Sequence, residues 1–94
     1  MSFFSVSHWN TTDWTDDMEA LARDKYVPMV MALGAESVDM VRTGDLSFVV
    51  ITKYADEATA DAAQAKIEAI RAEAADELPM TISSVTRGAT FASG

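Results

Sequence analysis

The single histidine is the residue of this chain best suited to proton transfer. His8 precedes Trp9 and Asn10 near the end of a segment rich in aromatic and β-branched residues. An imidazole changes charge near neutral pH and can act as a general base, and an amide such as Asn10 can hold a developing oxyanion. We therefore name His8 and Asn10 as the candidate catalytic residues. The alternatives are that His8 is an ordinary strand-end histidine and that Asn10 caps the first helix; the sequence does not fix the sheet face that His8 occupies.

Four larger side chains are candidates for lining an apolar pocket with a polar rim. They are Trp9, Tyr26, Met29 and Tyr54. As core residues they would need no ligand, and both interpretations stay open. A cavity is expected near Tyr26 in particular, because the nearby Pro28 cannot donate a backbone hydrogen bond and leaves polar groups unpaired. Trp14 and Met18 are interpreted as packing between a helix and a sheet.

The sequence lacks the residues that metal-binding, phosphate-binding and Ser–His catalytic sites require. The chain has no cysteine, its one histidine cannot hold zinc without other well-placed donors, and its four glycines form no phosphate-binding loop. Ser5 and Ser7 face the side of their strand opposite His8, so they form no Ser–His dyad. We expect no metal and no cofactor. Asp39 and Arg42 either contact a ligand or partner subunit or are simply solvated.

The charge distribution excludes two classes of partner. The net charge is −8, and the excess lies in two segments, three negative charges between Asp13 and Lys25 and five between Asp56 and Glu77. Such a surface repels phosphate backbones and anionic lipids, so neither nucleic acid nor a membrane is an expected partner. The start of the chain lacks a basic signal region, and no apolar run approaches the roughly 20 residues of a membrane span. We expect a cytoplasmic protein.

The 94 residues, 49% of them apolar and 23% charged, indicate one globular domain over residues 1–94. Hydrophobic spacing and turn residues predict six elements in the order β-α-β-β-α-β. The predicted strands are Ser2–Asn10, Ala35–Arg42, Leu46–Tyr54 and Met80–Arg87. The first helix starts near Trp14, breaks or kinks near Tyr26–Val27, resumes with Pro28 at its first position and ends at Gly34. The second is capped by Asp56, buries Ala63, Ile67, Ile70 and Ala74, and stops at Pro79; residues 88–94 form a tail.

This order predicts an α+β, ferredoxin-like βαββαβ fold, a four-stranded antiparallel sheet with both helices on one face. The first and third strands would be central, and the second and fourth would be edges. Two helices cover only one face, and the other would carry apolar residues whichever alternate set faces it. We therefore expect a homodimer through the uncovered sheet face.

Two segments carry a family resemblance. The first is the run from Tyr26 through Pro28 to Leu33-Gly34, and the second is Tyr54-Ala55-Asp56-Glu57-Ala58. They resemble the proline-containing helix and the capped second helix of the dimeric α+β barrel superfamily, which includes EthD-like proteins and antibiotic-biosynthesis-type monooxygenases. The chain departs from that pattern where EthD-like members tend to have a histidine just before the proline. Neither helix contains the histidine that heme-degrading relatives use as iron ligand.

The resemblance implies a homodimer that binds a small hydrophobic molecule in a cleft between helices and sheet. As an enzyme it would be a cofactor-independent monooxygenase or an isomerase of an aromatic or enolic compound, with His8 or a tyrosine moving a proton and Asn10 holding an oxyanion. The alternative is a non-catalytic module that acts in a stress response, binds a ligand or has only a structural role as a dimer.

Overall fold

The computed structural model describes all 94 residues, and its elements follow the predicted order. The strands are β1 (Phe3–Thr11), β2 (Ser37–Gly44), β3 (Ser47–Tyr54) and β4 (Met80–Ala89). The helices are α1 (Asp16–Leu21), α2 (Val27–Met31) and α3 (Glu57–Glu77), with a π-helical turn, Ala22–Tyr26, between α1 and α2. The majority of the strand ends differ from their predicted positions by one or two residues. Residues 88 and 89 belong to β4 and not to the tail.

The four strands form one antiparallel sheet in the order β2-β3-β1-β4. The central positions of β1 and β3 and the edge positions of β2 and β4 confirm the predicted topology. The strands β2 and β3 are joined by a tight turn after Gly44, and their pairing is irregular between Arg42 and Gly44. A second irregularity lies between His8 and Trp9 in the pairing of β1 with β4.

The first helical layer, which consists of α1, the π-helical turn and α2, differs from its prediction. The chain does not break before Pro28: Val27 is helical, at φ −58° and ψ −49°, and its N–H donates to the carbonyl of Ala22 five residues earlier. A proline ring clashes with the carbonyl four residues before it and offers no N–H of its own. The wider π-helical turn accommodates both effects, so Pro28 is the second residue of α2 and not the first. Gly34, at φ +100°, ends the helical region as predicted.

Helix α3 has the ends that its sequence predicts. The Asp56 side chain accepts from the Thr59 hydroxyl at 2.7 Å and from the Thr59 backbone N–H at 2.8 Å, and these two bonds lower the pKa of the Asp56 carboxyl. Leu78 is extended before Pro79, at φ −120° and ψ 151°. The buried stripe is Ala60, Ala63, Ile67 and Ala74, with Ile70 only half-buried. The main core joins this stripe to the sheet and α2; its seven members are Phe3, Val30, Ala35, Tyr54, Ala60, Ala63 and Ile67.

Strand alternation divides the sheet into a helix-covered face and an open face. On β1 the odd-numbered residues from Phe3 to Thr11 are buried, and His8 and Asn10 between them are exposed. Cross-strand register extends the open face to the neighbouring strands. Its apolar members are Phe4, Val6, Val41, Val49 and Ile51, and its polar members include His8, Asn10, Ser84 and Thr86. No segment of the chain packs as a layer over the open face.

No helix of the structure has both the length and the apolar character needed to span a bilayer.

Candidate functional site

A cleft lies between the first helical layer and the sheet. Its outer part is a cavity of about 350 Å³, and its inner part is a smaller cavity of about 80 Å³ that shares Ala22, Met40, Phe48 and Met80 with it. Trp14, Met18 and Val27 complete the apolar lining of the outer part. The inner part runs under the helices to α3 and is lined by twelve hydrophobic residues out of fifteen.

Three aromatic rings form one wall of this cleft. Trp9 and Phe48 are directly opposite in register on β1 and β3, and their rings stack with centroids 6.0 Å apart and planes 6° from parallel. Trp14 meets the Phe48 ring edge-on, at 5.8 Å and 77°. The Trp9 indole N–H donates to the Ser7 hydroxyl at 2.9 Å, which fixes the orientation of its ring. The three rings present flat apolar surface to the cleft.

Charged groups surround the mouth. The Arg42 guanidinium lies 4.2 Å from the centre of the Trp14 ring and donates to the backbone carbonyls of Gly44 and Asp45 at 3.1 and 2.8 Å. The Glu19 carboxylate accepts from the Trp14 indole N–H. Arg42 and Glu19 therefore restrain the Trp14 ring at the entrance from both sides.

The inner end of the cleft contains its buried polar groups. Ser7 and Thr52 are buried on the helix-covered face, and Arg71 reaches the same cavity from α3. Burial lowers the pKa of the Arg71 guanidinium, and the opposing electrostatic effects of Tyr54 and Glu68 only partly offset this. Ser5 is the hydrogen-bond partner of Arg71, at 3.5 Å.

Tyr26 closes the inner part beside α3. Its hydroxyl donates to the Glu77 carboxylate, which also accepts from the Lys25 ammonium at 2.8 Å. Burial, followed by the hydrogen bond to Glu77, raises the pKa of Tyr26 to about 12. The bonds to Lys25 and Tyr26 lower the pKa of Glu77, and the bond to Glu77 raises the pKa of Lys25. Tyr26 is thus neutral at physiological pH, and its hydroxyl is committed to a carboxylate.

The structure separates the predicted site residues into three groups. Trp9 and Tyr26 line the cleft. Tyr54 lies in the main core and Met29 is half-buried, and neither lines the cleft. His8 and Asn10 lie on the open face, outside the helix–sheet cleft, because they alternate with the buried Ser7 and Trp9 along β1. Their catalytic role stays a prediction, but the idea that His8 acts as a base inside this cleft is wrong.

Sequence reasoning missed the polar end of the cleft. Ser7 and Thr52 carry little chemical signal by themselves, and Arg71 lies in a helix whose other charges are solvated. Strand alternation could have found Ser7, because it must share a face with Trp9 two residues later. Trp14 and Met18, interpreted as packing residues, also line the outer cavity. No group of three or more His, Cys, Asp or Glu side chains is arranged to hold a metal ion.

Comparisons with known proteins show the fold of this chain. The chain matches no protein-family model and no curated protein sequence. Among solved structures, it is similar to a mutant of SnoaB, a cofactor-independent oxygenase from Streptomyces nogalater, with a TM-score of 0.76, 15% identity and coverage of 98% of this chain and 95% of that one. It is also similar to a dimeric ferredoxin-like protein from an uncultured marine organism, with a TM-score of 0.69, 19% identity and coverage of 99% of this chain and 98% of that one.

A third similar structure is Rv0793 from Mycobacterium tuberculosis, with a TM-score of 0.64, 15% identity and coverage of 99% of this chain and 98% of that one. At these identities the similarity establishes the ferredoxin-like α+β fold, as the sequence predicted, over nearly the whole chain.

Proposed function

We propose that this protein binds a small, flat, hydrophobic molecule in the cleft between the first helical layer and the sheet. The observation that carries the proposal is the preformed outer cavity of about 350 Å³, which is lined by Trp14 and Phe48 and continues into the inner cavity lined by Phe48 and Trp9. Ligand sites are typically concave and mostly apolar, with a few polar groups that fix orientation. Parallel and edge-on aromatic rings offer surfaces on which another aromatic ring gains stacking energy in addition to area burial.

Intrinsic fluorescence can report binding, because both tryptophans of the chain line the cleft. We expect 2-naphthamide, a neutral bicyclic probe, to change tryptophan emission saturably and to bind in calorimetry. Ala22 borders both cavities, so Ala22→Phe fills the cleft and should weaken binding at least about tenfold. Ala65→Phe, on the exposed side of α3, is the matched control and should bind like the wild type. Equal binding by both variants would contradict the proposed site.

The second part of the proposal is a homodimer through the open face. Phe4, Val6, Val41, Val49 and Ile51 form an apolar patch on that face, and soluble proteins rarely leave such a patch in water. One of the similar structures is described as a dimeric ferredoxin-like protein. Packing two copies face to face would complete a barrel around the two patches and bury them symmetrically. Sedimentation of a monomer at micromolar concentration would contradict this part.

A cofactor-independent oxygenase or isomerase is the second candidate, favoured by the full-length similarity to SnoaB. Such an oxygenase must take its electrons from the substrate: a CH₂ group becomes a carbonyl, and the second oxygen atom of O₂ leaves as water. Proton removal from that carbon is then the first requirement. If His8 and Asn10 supply it, the reaction takes place at the open face, between the two subunits of the proposed dimer. The non-catalytic module remains the alternative.

Oxygen uptake with an enolisable bicyclic ketone tests this candidate. His8→Ala and Asn10→Ala should each abolish most turnover while circular dichroism stays unchanged, and Ser84→Ala, beside His8 on the open face, is the control. Turnover that persists in both variants would exclude the open-face site, and the absence of turnover in the wild type would favour the binding module.

A further inference from the structure

Arg71 stands apart from the other three arginines of the chain in lacking a strong partner. Arg23 pairs with Asp24 at 3.1 Å and Arg87 with Asp61 at 2.7 Å. Arg42 donates to two backbone carbonyls. Arg71 forms no ion pair, although the chain has 15 acidic residues, and its one hydrogen bond is the 3.5 Å contact with the Ser5 hydroxyl.

The surroundings of Arg71 make the absence of a strong partner energetically unfavourable. Arg71 belongs to α3, and its side chain is partly buried between that helix and the sheet. A desolvated cation needs hydrogen-bond acceptors or a counter-ion. Tyr54 and the Glu68 carboxylate favour the charge of the guanidinium electrostatically and the Arg87 cation opposes it, but neither Tyr54 nor Glu68 forms a hydrogen bond or an ion pair with the guanidinium. The guanidinium carries five N–H donors in a planar fork, of which the structure uses one weakly.

Two hydroxyl residues share the cavity with Arg71. Ser7 and Thr52, both buried, are the other polar residues among the fifteen that line the inner cavity. The Ser7 oxygen accepts from the Trp9 indole, so its own hydrogen remains free to donate. Thr52 pairs in register with Ser5, the residue that accepts from Arg71, and Ser7 lies two residues further along the same face of β1. The cavity therefore presents a cation and hydroxyl donors in neighbouring positions of an otherwise apolar lining, which is the donor set that an oxygen anion requires.

We propose that the inner end of the cleft is an anion subsite, formed by Arg71, Ser7 and Thr52, for an acidic oxygen of the bound aromatic ligand. This inference rests on the proposed ligand-binding function and names its ligand class: a flat hydrophobic molecule with a carboxylate or an enolate-type oxygen at one end. The aromatic body lies against Trp9 and Phe48, and the anion points toward α3. The anion supplies the directly bonded counter-charge that Arg71 lacks, since Glu68 acts on it only through space.

A matched pair of probes tests the subsite. 2-Naphthoate and 2-naphthamide have the same rings and differ in the charge of one group. For the wild type we expect naphthoate to bind roughly tenfold to a hundredfold more tightly than the amide, as a charge-assisted hydrogen bond allows. Arg71→Met keeps most of the side-chain length and should remove that difference, leaving amide binding within about twofold. Arg71→Lys should restore part of the preference.

Further variants separate the possible results. Thr52→Val, nearly isosteric, should weaken naphthoate by severalfold with little effect on the amide. Lys66→Met removes an exposed cation of α3 outside the cleft and is the control, with the preference expected to stay as in the wild type. Arg42→Met removes the cation that restrains Trp14 at the mouth and should weaken both probes equally; selective loss of naphthoate binding in this variant would place the anion at the mouth and overturn the proposal. Equal affinity of the wild type for both probes would also overturn it while preserving the binding function. Failure of both probes to bind would refute the proposed function itself.

Discussion

The two faces of the sheet come from the same four strands, and along β1 they differ by a single step in residue number. Ser7 and Trp9 face the helices and form part of an aromatic, hydrogen-bonded cleft. His8 and Asn10 face the other way and are exposed, with His8 between Val49 and Ser84 of the neighbouring strands. The helix-covered face is packed against the helices, and its Trp9 ring is held by a hydrogen bond to Ser7, whereas the open face has aliphatic residues with no layer of the chain packed on them.

The difference between the two faces shows that the chemical type of a residue does not predict whether it lies at a cavity. His8, the side chain best suited to proton transfer, lies on the open face and outside both parts of the cleft, whereas the cleft contains hydroxyls and a guanidinium that attract little notice in a sequence. A ligand site in the cleft and a reaction at the open face would be distinct sites, the first within one subunit and the second between two. The experiments below test whether the two faces behave as differently as their contacts indicate.

The largest expected effect concerns association through the open face. Val41 and Val85 lie on the two edge strands at nearly equal exposure, 44% and 42%, but Val41 belongs to the open face and Val85 pairs with Ser7 on the other. Val41→Glu should weaken the dimer by about 3–5 kcal/mol, because it buries an unpaired charge in the contact. Val85→Glu should leave the dimer unchanged. Sedimentation over a range of concentrations measures both, and equal effects would argue against the open face as the interface.

A core truncation should separate folding within one chain from association. Ile67 is buried in the main core beneath α3, whereas Ile51 lies on the open face. We expect Ile67→Ala to lower the free energy of unfolding by about 2–4 kcal/mol at any protein concentration. The decrease in the free energy of unfolding caused by Ile51→Ala should depend on protein concentration, because the proposed contacts of Ile51 form between subunits. Urea unfolding at two widely spaced concentrations measures this, and two concentration-independent losses would contradict the contrast.

Neighbouring residues on β1 should act differently on Trp9. Ser7→Ala removes the acceptor of the Trp9 indole N–H and should cost about 1–2 kcal/mol, with a shift in tryptophan emission. His8→Ala, one residue later and on the other face, should leave the emission unchanged. Fluorescence and urea unfolding provide the readouts. A spectral shift in the histidine variant would show that the two faces are not independent.

The smallest expected effect is the alkaline behaviour of Tyr26. Its pKa is raised from 10.0 to about 12, so the folded state favours the neutral phenol. The stabilisation it gives is complete below pH 10 and is lost as the pH rises from about 10 to 12, because the unfolded chain ionises first. Tyr26→Phe should therefore show a fall in stability over this range that is smaller by about 1 kcal/mol.

Urea unfolding at pH 9 and pH 11 measures the difference. Tyr54 and Lys25 also have raised pKa values, but both remain in the variant, so the comparison isolates Tyr26. Parallel curves for the two proteins would mean that burial of Tyr26 does not control its ionisation.

The fold was largely predictable because its signals are local and repeated. Asp56 and Pro79 mark the ends of α3, Gly34 marks the end of the first helical layer, and alternating apolar residues mark the strands. The continuous path through Pro28 was not predictable, because a π-helical turn depends on how the packed helix accommodates the proline. Of the candidate ligand-binding residues, Trp9 and Tyr26 line the cleft, and their role in binding stays a prediction; His8 and Asn10 were expected near a cleft from which alternation excludes them.

The sequence alone determined the order of elements, the caps of α3 and the excess of apolar residues over what two helices can cover. Each of these follows from backbone preferences and side-chain periodicity within a short stretch of chain. Only the tertiary structure decided which face each residue of β1 occupies and which groups meet at the inner end of the cleft. Ser7, Thr52 and Arg71 come from three separate elements, and their proximity exists only once strand register and helix packing bring those elements together.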